Sequence, residues 1–406
     1  MKILSFSYCF PHPGAPAWGV FVYQRLAAMA RRVPLDAVSP VPSFPVLSRL
    51  KGPRGQLSSD WRELTVHRPR FFYLPGMLKS LDARFYAGGI RRWLVEFADR
   101  WRPDLLDAHF VWPDGVGVAL LARELGLPYS ITLRGKIYPC LEVPSQRRQC
   151  AEALRSAAAV VSVDHRMADI ALELGAAPSR VHVIPNGVDL DRFQPGDRAA
   201  ARRRLGLPPG GRVLVSVGHL GDRKGHRETL AALARLPRDV RLVLVGGDSK
   251  AHRGGKRDLE QLAESLGLDE RVIFAGPQPC ARVSLYYQAA DASVLASWRE
   301  GCPNVVLESL ACGTPVVASD VGSVPMMIED GRNGRIVPPR DADQLAKAVG
   351  EVLDMQLPAE QVRGSRAVRS WDDVAAEVCA VFEAAVGRSV ANPPGERFSR
   401  TVVEHP

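Results

Sequence analysis

Glu300 and Glu308 enclose a segment able to meet a charged, hydroxylated ligand, Glu300-Gly301-Cys302-Pro303-Asn304-Val305-Val306-Leu307-Glu308. Pro303 suits the first position of a helix, because the N–H it lacks would have no partner there. The amides of Asn304 and Val305 then face outward toward an anion, assisted by the helix dipole. Glu308 lies five residues into that helix, about 7.5 Å along its axis, while Glu300 stays in the loop before it. Carboxylates accept hydrogen bonds from sugar hydroxyls, so a diphosphate with a hydroxyl-rich group on each side fits the layout. Two glutamates on a solvated surface satisfy the same spacing, and context must separate the two readings.

A ligand site of this kind needs a framework that gathers loops at one edge. The chain alternates β-branched runs with amphipathic helical patterns. The first half offers strands at Lys2–Phe6, Leu35–Ser39, Asp104–Ala108, Tyr129–Leu133, Val160–Val163 and Val181–Ile184. The second half offers Val213–Val217, Arg241–Val245, Val272–Ala275, Ala292–Ala296 and Val316–Ser319. Such alternation implies mostly parallel sheets with helices on both faces, and two series imply two doubly wound α/β domains. Ligands of open parallel sheets bind beyond the carboxyl ends of the strands. In the second half those positions hold Gly218-His219, Arg223-Lys224-Gly225, Gly246-Gly247-Asp248, Gly276, the segment Ser297–Asn304, and Asp320-Val321-Gly322. Glycines also follow strands in α/β folds that bind nothing there, so this edge alone decides little.

Turn residues cluster from Pro185-Asn186-Gly187 to Pro195-Gly196 and divide the chain there. The domains expected are 1–195 and 196–370, with a helix at 371–387 packing back on the first domain and a mobile tail over 388–406. The stretch Pro40–Gly76, rich in Pro, Arg and aromatics, reads as a long excursion from the first sheet.

Composition narrows the class. The chain has 406 residues, 46% apolar and 24% charged, ordinary for a soluble globular protein and too long for one compact core. No run approaches the ~18 apolar residues of a membrane-spanning helix. The N-terminus lacks the apolar centre of a signal peptide. Seven cysteines without a C-x-x-C pair argue against a disulfide framework or zinc site, so the cytoplasm is expected. The net charge of +9 is uneven. Residues 1–195 hold 25 Lys and Arg against 17 Asp and Glu, and residues 196–406 hold 28 against 27. A basic half suits nucleic acid, an acidic membrane surface or an anionic substrate. The sequence shows no zinc spacing or RNA-binding aromatic motif, so nucleic acid is not expected. A nicotinamide enzyme is disfavoured too, since no G-x-G-x-x-G turn follows the first strand. Asp189-Leu190-Asp191 spells a D-x-D, but in an interdomain turn, and no metal site is expected.

The Glu300–Glu308 segment, followed by Ser309-Leu310-Ala311-Cys312-Gly313-Thr314-Pro315-Val316-Val317, closely resembles retaining nucleotide-sugar glycosyltransferases of family 4, which have the GT-B fold. Val217-Gly218-His219-Leu220 with Lys224-Gly225 resembles that family's phosphate loop, and Val272–Gly276 its base-binding strand. Ile184-Pro185-Asn186-Gly187-Val188-Asp189 resembles its interdomain turn, Asp330-Gly331-Arg332-Asn333-Gly334 its next loop, and Pro11–Gln24 its N-terminal loop.

The resemblance implies two Rossmann-like domains facing each other across a cleft, with the donor in the second domain. It implies sugar transfer from a nucleotide-diphosphate donor to a glycan or lipid-linked acceptor, with retention, no cofactor and no divalent ion. Lys224, aided by Arg223, would neutralise the leaving diphosphate, with Gly218, Gly301 and the amides of Asn304 and Val305 around it. Glu300 would hold hydroxyls of the transferred sugar and Glu308 those of the ribose. Gly276 would approach the base, and Gly19 would meet the donor from the first domain. Two positions depart from the family. His219 stands where Arg is frequent, and Arg134, in Thr132-Leu133-Arg134-Gly135-Lys136, stands where His is frequent. Arg134 and His109, both at the first domain's strand ends, are further catalytic candidates. Peripheral contact with an anionic membrane is a further expectation for the basic half, and a nucleotide-sugar epimerase is the nearest rival reading.

Overall fold

The computed structural model describes residues 1–43, 58–248 and 255–391. Every strand expected from the β-branched runs is present, within a residue or two at its ends. The chain divides into two compact units: Met1–Ile184 together with the segment from Val374 onward, and Pro185–Asp373.

The first unit contains β1 (Ile3–Phe6), β2 (Leu35–Val38), β3 (Val41–Ser43), β4 (Ser58–Trp61), β5 (Leu64–His67), β6 (Arg70–Phe72), β7 (Leu105–His109), β8 (Tyr129–Leu133), β9 (Ala159–Ser162) and β10 (Val181–Val183). Eight of them form one sheet in the order β10-β9-β8-β7-β1-β2-β5-β4. All neighbours are parallel except β4 against β5. Strand order reverses at β1, so the loops after β1 and β7 flank the switch point where such sheets bind ligands.

The stretch Pro40–Gly76 is not an excursion. Four strands lie in it: β4 and β5 extend the main sheet, and β3 pairs with β6. These strands are three or four residues long and interrupted by Pro and Arg, too short to show a period. Residues 44–57 lie outside the described ones.

The second unit contains β11 (Arg212–Val217), β12 (Val240–Val245), β13 (Val272–Gly276), β14 (Ala292–Leu295), β15 (Val316–Ser319) and β16 (Gly334–Val337). Its sheet is wholly parallel in the order β13-β12-β11-β14-β15-β16, the dinucleotide-fold order, reversing between β11 and β14. Val213 and Val215 of β11 and Val243 and Val245 of β12 enter one apolar core. Leu214, Leu242 and Leu244 enter the other. Side chains alternate across a strand, so a run apolar throughout must be covered on both faces. β16 escaped the sequence reading because it opens on Gly334 and carries Arg335. Gly334 is required, since a Cβ there would stand 1.9 Å from Val316 O.

The chain passes between units at Ile184/Pro185 rather than at 195/196. The turn segment is anchored in the second unit by two buried apolar residues, Val188 and Phe193. Val188 N–H also donates to Arg369 O at 2.9 Å. The helix Trp371–Ala391 runs past the expected 387, so residues 388–391 are helical rather than tail. From Val374 onward it belongs to the first unit, where Phe382 is fully buried and the Arg25 guanidinium stands 5.9 Å from its ring centre. The remainder of the expected tail, 392–406, lies outside the described residues.

Candidate active site

In the second unit, the loops after β11 and β14 flank the switch point. Lys224 ends a short 3-10 turn, Asp222–Lys224, and its amide donates to Gly221 O at 2.9 Å. Gly225 follows with φ 67°, and a Cβ on it would stand 1.8 Å from Ala296 O, so only glycine lets the two loops approach. That approach brings Lys224 Nζ to 2.6 Å from Glu300 Oε1. Ser297 Oγ donates to the same carboxylate oxygen at 2.8 Å. The pair is partly exposed, at 26% for the Lys side chain and 17% for the Glu. Gly301 is pressed by Gly322, whose Cβ would stand 2.1 Å from Gly301 O.

Pro303 is the N-cap of the helix Asn304–Ala311 rather than its first residue, and Asn304 begins the helix. Val306 N–H is taken by Pro303 O at 3.0 Å, so the amides of Asn304 and Val305 lead the helix end. The Asn304 side chain is fixed by Asn186, whose Nδ2 donates to Asn304 Oδ1 at 2.8 Å. Glu308, one turn on, accepts from Tyr287 OH at 3.2 Å. Burial pushes its carboxyl up to about 7, against smaller lowering effects of Tyr287 and Arg192.

Gly218 and Gly276 occupy successive strand ends. Gly218 N–H donates to Val245 O, and Gly246 N–H to Gly276 O, each at 2.9 Å. The space beside Gly276 is open. Arg223 is exposed, and so is the His219 ring. The His219 carbonyl accepts from Gly221 N–H at 2.9 Å and lies 3.2 Å from His226 Nε2. Burial lowers His226 to about 4, so it serves as a neutral donor that fixes the loop. Asp189 accepts from the amide of Arg192 at 3.1 Å and pairs with its guanidinium at 3.4 Å, which makes the D-x-D turn a backbone cap. Among the described residues no group of three or more His, Cys, Asp or Glu gathers as a metal set.

Two family models match. Residues 19–192 fit "Glycosyltransferase Family 4" and residues 197–369 fit "Glycosyl transferases group 1". The chain belongs to the family-4, group-1 glycosyltransferases. It is 40% identical over 222 residues to a D-inositol 3-phosphate glycosyltransferase of Acidothermus cellulolyticus, covering 52% of this chain and 50% of that protein. It is 32% identical over 329 residues to the protein of that name from Mycobacterium tuberculosis, covering 79% of this chain and 65% of that one. The matches thus span about half to two thirds of the length of these relatives. Among solved structures, sucrose-phosphate synthase from Thermosynechococcus elongatus superposes with a TM-score of 0.77 over 96% of this chain and all of that one, at 22% identity. Anabaena HepE in complex with UDP gives 0.74 over 94% of this chain and all of that one, at 21% identity. These neighbours show the GT-B fold.

Gly19 caps the helix Val20–Ala30 with φ 74°, and a Cβ there would stand 2.2 Å from Cys9 O. His109, expected as a candidate in contact with substrate, is fully buried. Its Nδ1 accepts from Arg134 Nε at 3.2 Å, which places the ring proton on Nε2. Nε2 lies 3.1 Å from Asp107 Oδ2, an electrostatic contact without hydrogen-bond alignment. Burial pushes His109 down to about 4, so the ring is neutral. Burial opposes ionisation of Asp107, but the Arg25 guanidinium and the Ser5 hydroxyl hold its carboxyl well below the usual carboxylate range. Ser5 and Ser130 donate to it at 2.7 and 2.8 Å. Arg134 also stacks over Phe21, with 5.1 Å from Cζ to the ring centre. Arg134 is therefore the half-exposed end of a buried polar chain, and His109 is its support. The buried Arg25 and Asp107 were not singled out from sequence, because a polar residue inside a strand or helix does not announce that it points inward.

Proposed function

We propose that this chain is a retaining glycosyltransferase that moves a sugar from a nucleotide-diphosphate sugar to a hydroxyl acceptor without a metal or cofactor. The observation carrying the proposal is the Lys224–Glu300 pair at the β11/β14 switch point, beside the start of the helix Asn304–Ala311. A cation and a carboxylate held 2.6 Å apart suit a ligand presenting a diphosphate beside hydroxyls. On donor binding the phosphate takes Lys224 and the sugar hydroxyls take Glu300, so Lys224 exchanges a carboxylate for a phosphate and Glu300 exchanges an ammonium for neutral hydroxyl donors. Glu308 accepts the ribose hydroxyls in this scheme, and the amides of Asn304 and Val305 face the phosphate.

The bond from the anomeric carbon to the phosphate oxygen breaks as Lys224 and the helix end stabilise the departing charge, usually the largest catalytic contribution in such sites. The acceptor oxygen bonds to the same face of that carbon, and its proton passes to the leaving phosphate. No protein nucleophile is required.

For the acceptor, the relatives' name and the pinned cation Arg134 support a hydroxylated molecule bearing an anionic group. A phosphorylated cyclitol meets that description, and so does a lipid-linked glycan of the kind used in cell-surface polysaccharide synthesis. Peripheral membrane contact is supported by exposed Phe72, Met77 and Leu78 beside Arg70, Lys79 and Arg84. Among the described residues no helix is long and apolar enough to cross a membrane.

A thermal-shift screen of UDP-, GDP- and ADP-sugars in chelator, followed by product analysis with cyclitol phosphates and glycans, tests the proposal. It expects stabilisation by one nucleotide class and an acceptor-dependent glycoside. Nucleotide release equal with and without any acceptor, accompanied by an epimerised sugar, would replace it with the epimerase reading.

A further inference from the structure

We infer that Trp298 is the positioning residue of the donor loop, clamped by Glu228 and Arg340 so that Glu300 stays in register with Lys224. The inference rests on the donor site proposed above and adds residues to it. Trp298 sits between Ser297 and Glu300, directly after β14. Three elements hold it. Its backbone N–H donates to Arg223 O at 2.8 Å, tying it to the phosphate-side loop. Its indole Nε1–H donates to Glu228 Oε1 at 2.8 Å, tying it to the helix His226–Leu233. The Arg340 guanidinium stands 4.2 Å from the ring centre, tying it to the turn after β16.

The chemistry of the three groups is mutually supportive. A carboxylate accepting from the indole N–H adds electron density to the ring, and an electron-rich ring holds a guanidinium on its face more strongly. Arg340 is also a non-glycine residue at φ 64°. That conformation costs about 1–2 kcal/mol for a side chain with a Cβ, and persists only where surrounding contacts outweigh it. Glu228 Oε2 is buried without a hydrogen-bond partner, so the carboxylate spends its one fixed bond on Trp298.

The consequence falls on Glu300. Ser297, on one side of Trp298, donates to Glu300 Oε1, and Glu300 itself lies two residues to the other side. Fixing the indole therefore fixes the segment 297–300, which carries both the carboxylate and its Ser297 donor. A misplacement of about 1 Å in a group that orients substrate costs up to roughly a hundredfold in rate. Trp298 acts through Glu300, so its loss should spare nucleotide binding and impair recognition of the sugar.

The test measures, by calorimetry, the affinities of a nucleotide sugar and of its nucleoside diphosphate, using UDP-glucose with UDP, GDP-mannose with GDP and ADP-glucose with ADP. The pair that the wild-type protein binds is carried to the variants. The preference for the nucleotide sugar is expected to fall about tenfold in Trp298→Phe and Glu228→Ala, with the diphosphate affinity unweakened, between the wild-type value and about fivefold above it as Lys224 is released from Glu300. Glu228→Gln retains an oxygen acceptor for the indole and is expected to keep the wild-type preference. Equal weakening of both ligands, an unchanged preference in Trp298→Phe, or identical behaviour of Glu228→Gln and Glu228→Ala would overturn the inference. A wild-type protein that binds none of the six ligands would instead overturn the donor-site reading, and the clamp with it.

Discussion

Glu300→Gln should tighten the binding of a nucleoside diphosphate, although it removes a residue from the donor site. In the ligand-free chain Lys224 is engaged with Glu300 at 2.6 Å. A diphosphate must displace that carboxylate and tolerate its charge nearby. At 2.6 Å two unit charges attract by about 1.6 kcal/mol in a water-like dielectric and by about 6 kcal/mol at an effective dielectric of 20. The side chains are 26% and 17% exposed, and desolvation with side-chain ordering takes back most of this, leaving a net of about 1 kcal/mol. Glutamine keeps the shape and the bond from Ser297 but not the charge, so affinity should rise about fivefold. The gain should vanish when Lys224→Met is added, because no cation remains to be released. Calorimetric titration of UDP, GDP and ADP into wild type, Glu300→Gln and the double variant reads all three quantities. Unchanged or weaker diphosphate binding by Glu300→Gln would refute the reasoning that the two side chains hold each other's ligand-binding groups.

Other consequences follow from the buried charges. Glu308, pushed up to about 7 by burial, takes up a proton on folding between its ordinary pKa and that value. Its favourable contribution is complete at low pH and is lost as pH rises through 7, where the ionised carboxylate costs roughly 3 kcal/mol. Glu308→Gln should therefore raise the melting temperature at pH 8.5 and lose this advantage toward pH 5; a pH-independent difference would contradict it. Arg25→Met should lower unfolding free energy in urea by about 1–3 kcal/mol, since it takes away the buried cation whose field favours the Asp107 carboxylate and the donor to Thr132 Oγ1, and Asp107→Asn should recover part of the loss. A loss under 1 kcal/mol would remove Arg25 from the account of that network.

The regular part of the fold was legible because the parallel sheets are buried on both faces, and runs such as Val213–Val217 and Arg241–Val245 are nearly continuous apolar segments. β16 and the strands within 40–76 were not, because Gly334, Pro42 and Arg70 break the pattern while backbone pairing holds them in place. At the site, Lys224, Glu300 and Asn304 were legible from local spacing and resemblance. Trp298, Glu228 and Arg340 were not, since they meet from positions 228, 298 and 340, and only the folded chain puts an indole between a carboxylate and a guanidinium. His109 looked like a reactive group because a histidine at a strand end points at the ligand edge. Burial beneath Arg134 turns it into a support.

The most direct test is nucleotide-diphosphate release from a nucleotide sugar, measured in chelator with and without acceptor, for wild type and Lys224→Ala with matched melting curves. Acceptor-dependent release with the anomeric configuration retained, reduced at least about a hundredfold in Lys224→Ala, is the expected result. Wild-type turnover in Lys224→Ala, or activity abolished by chelator and restored by Mg²⁺, would contradict a metal-independent transferase built on the Lys224–Glu300 site.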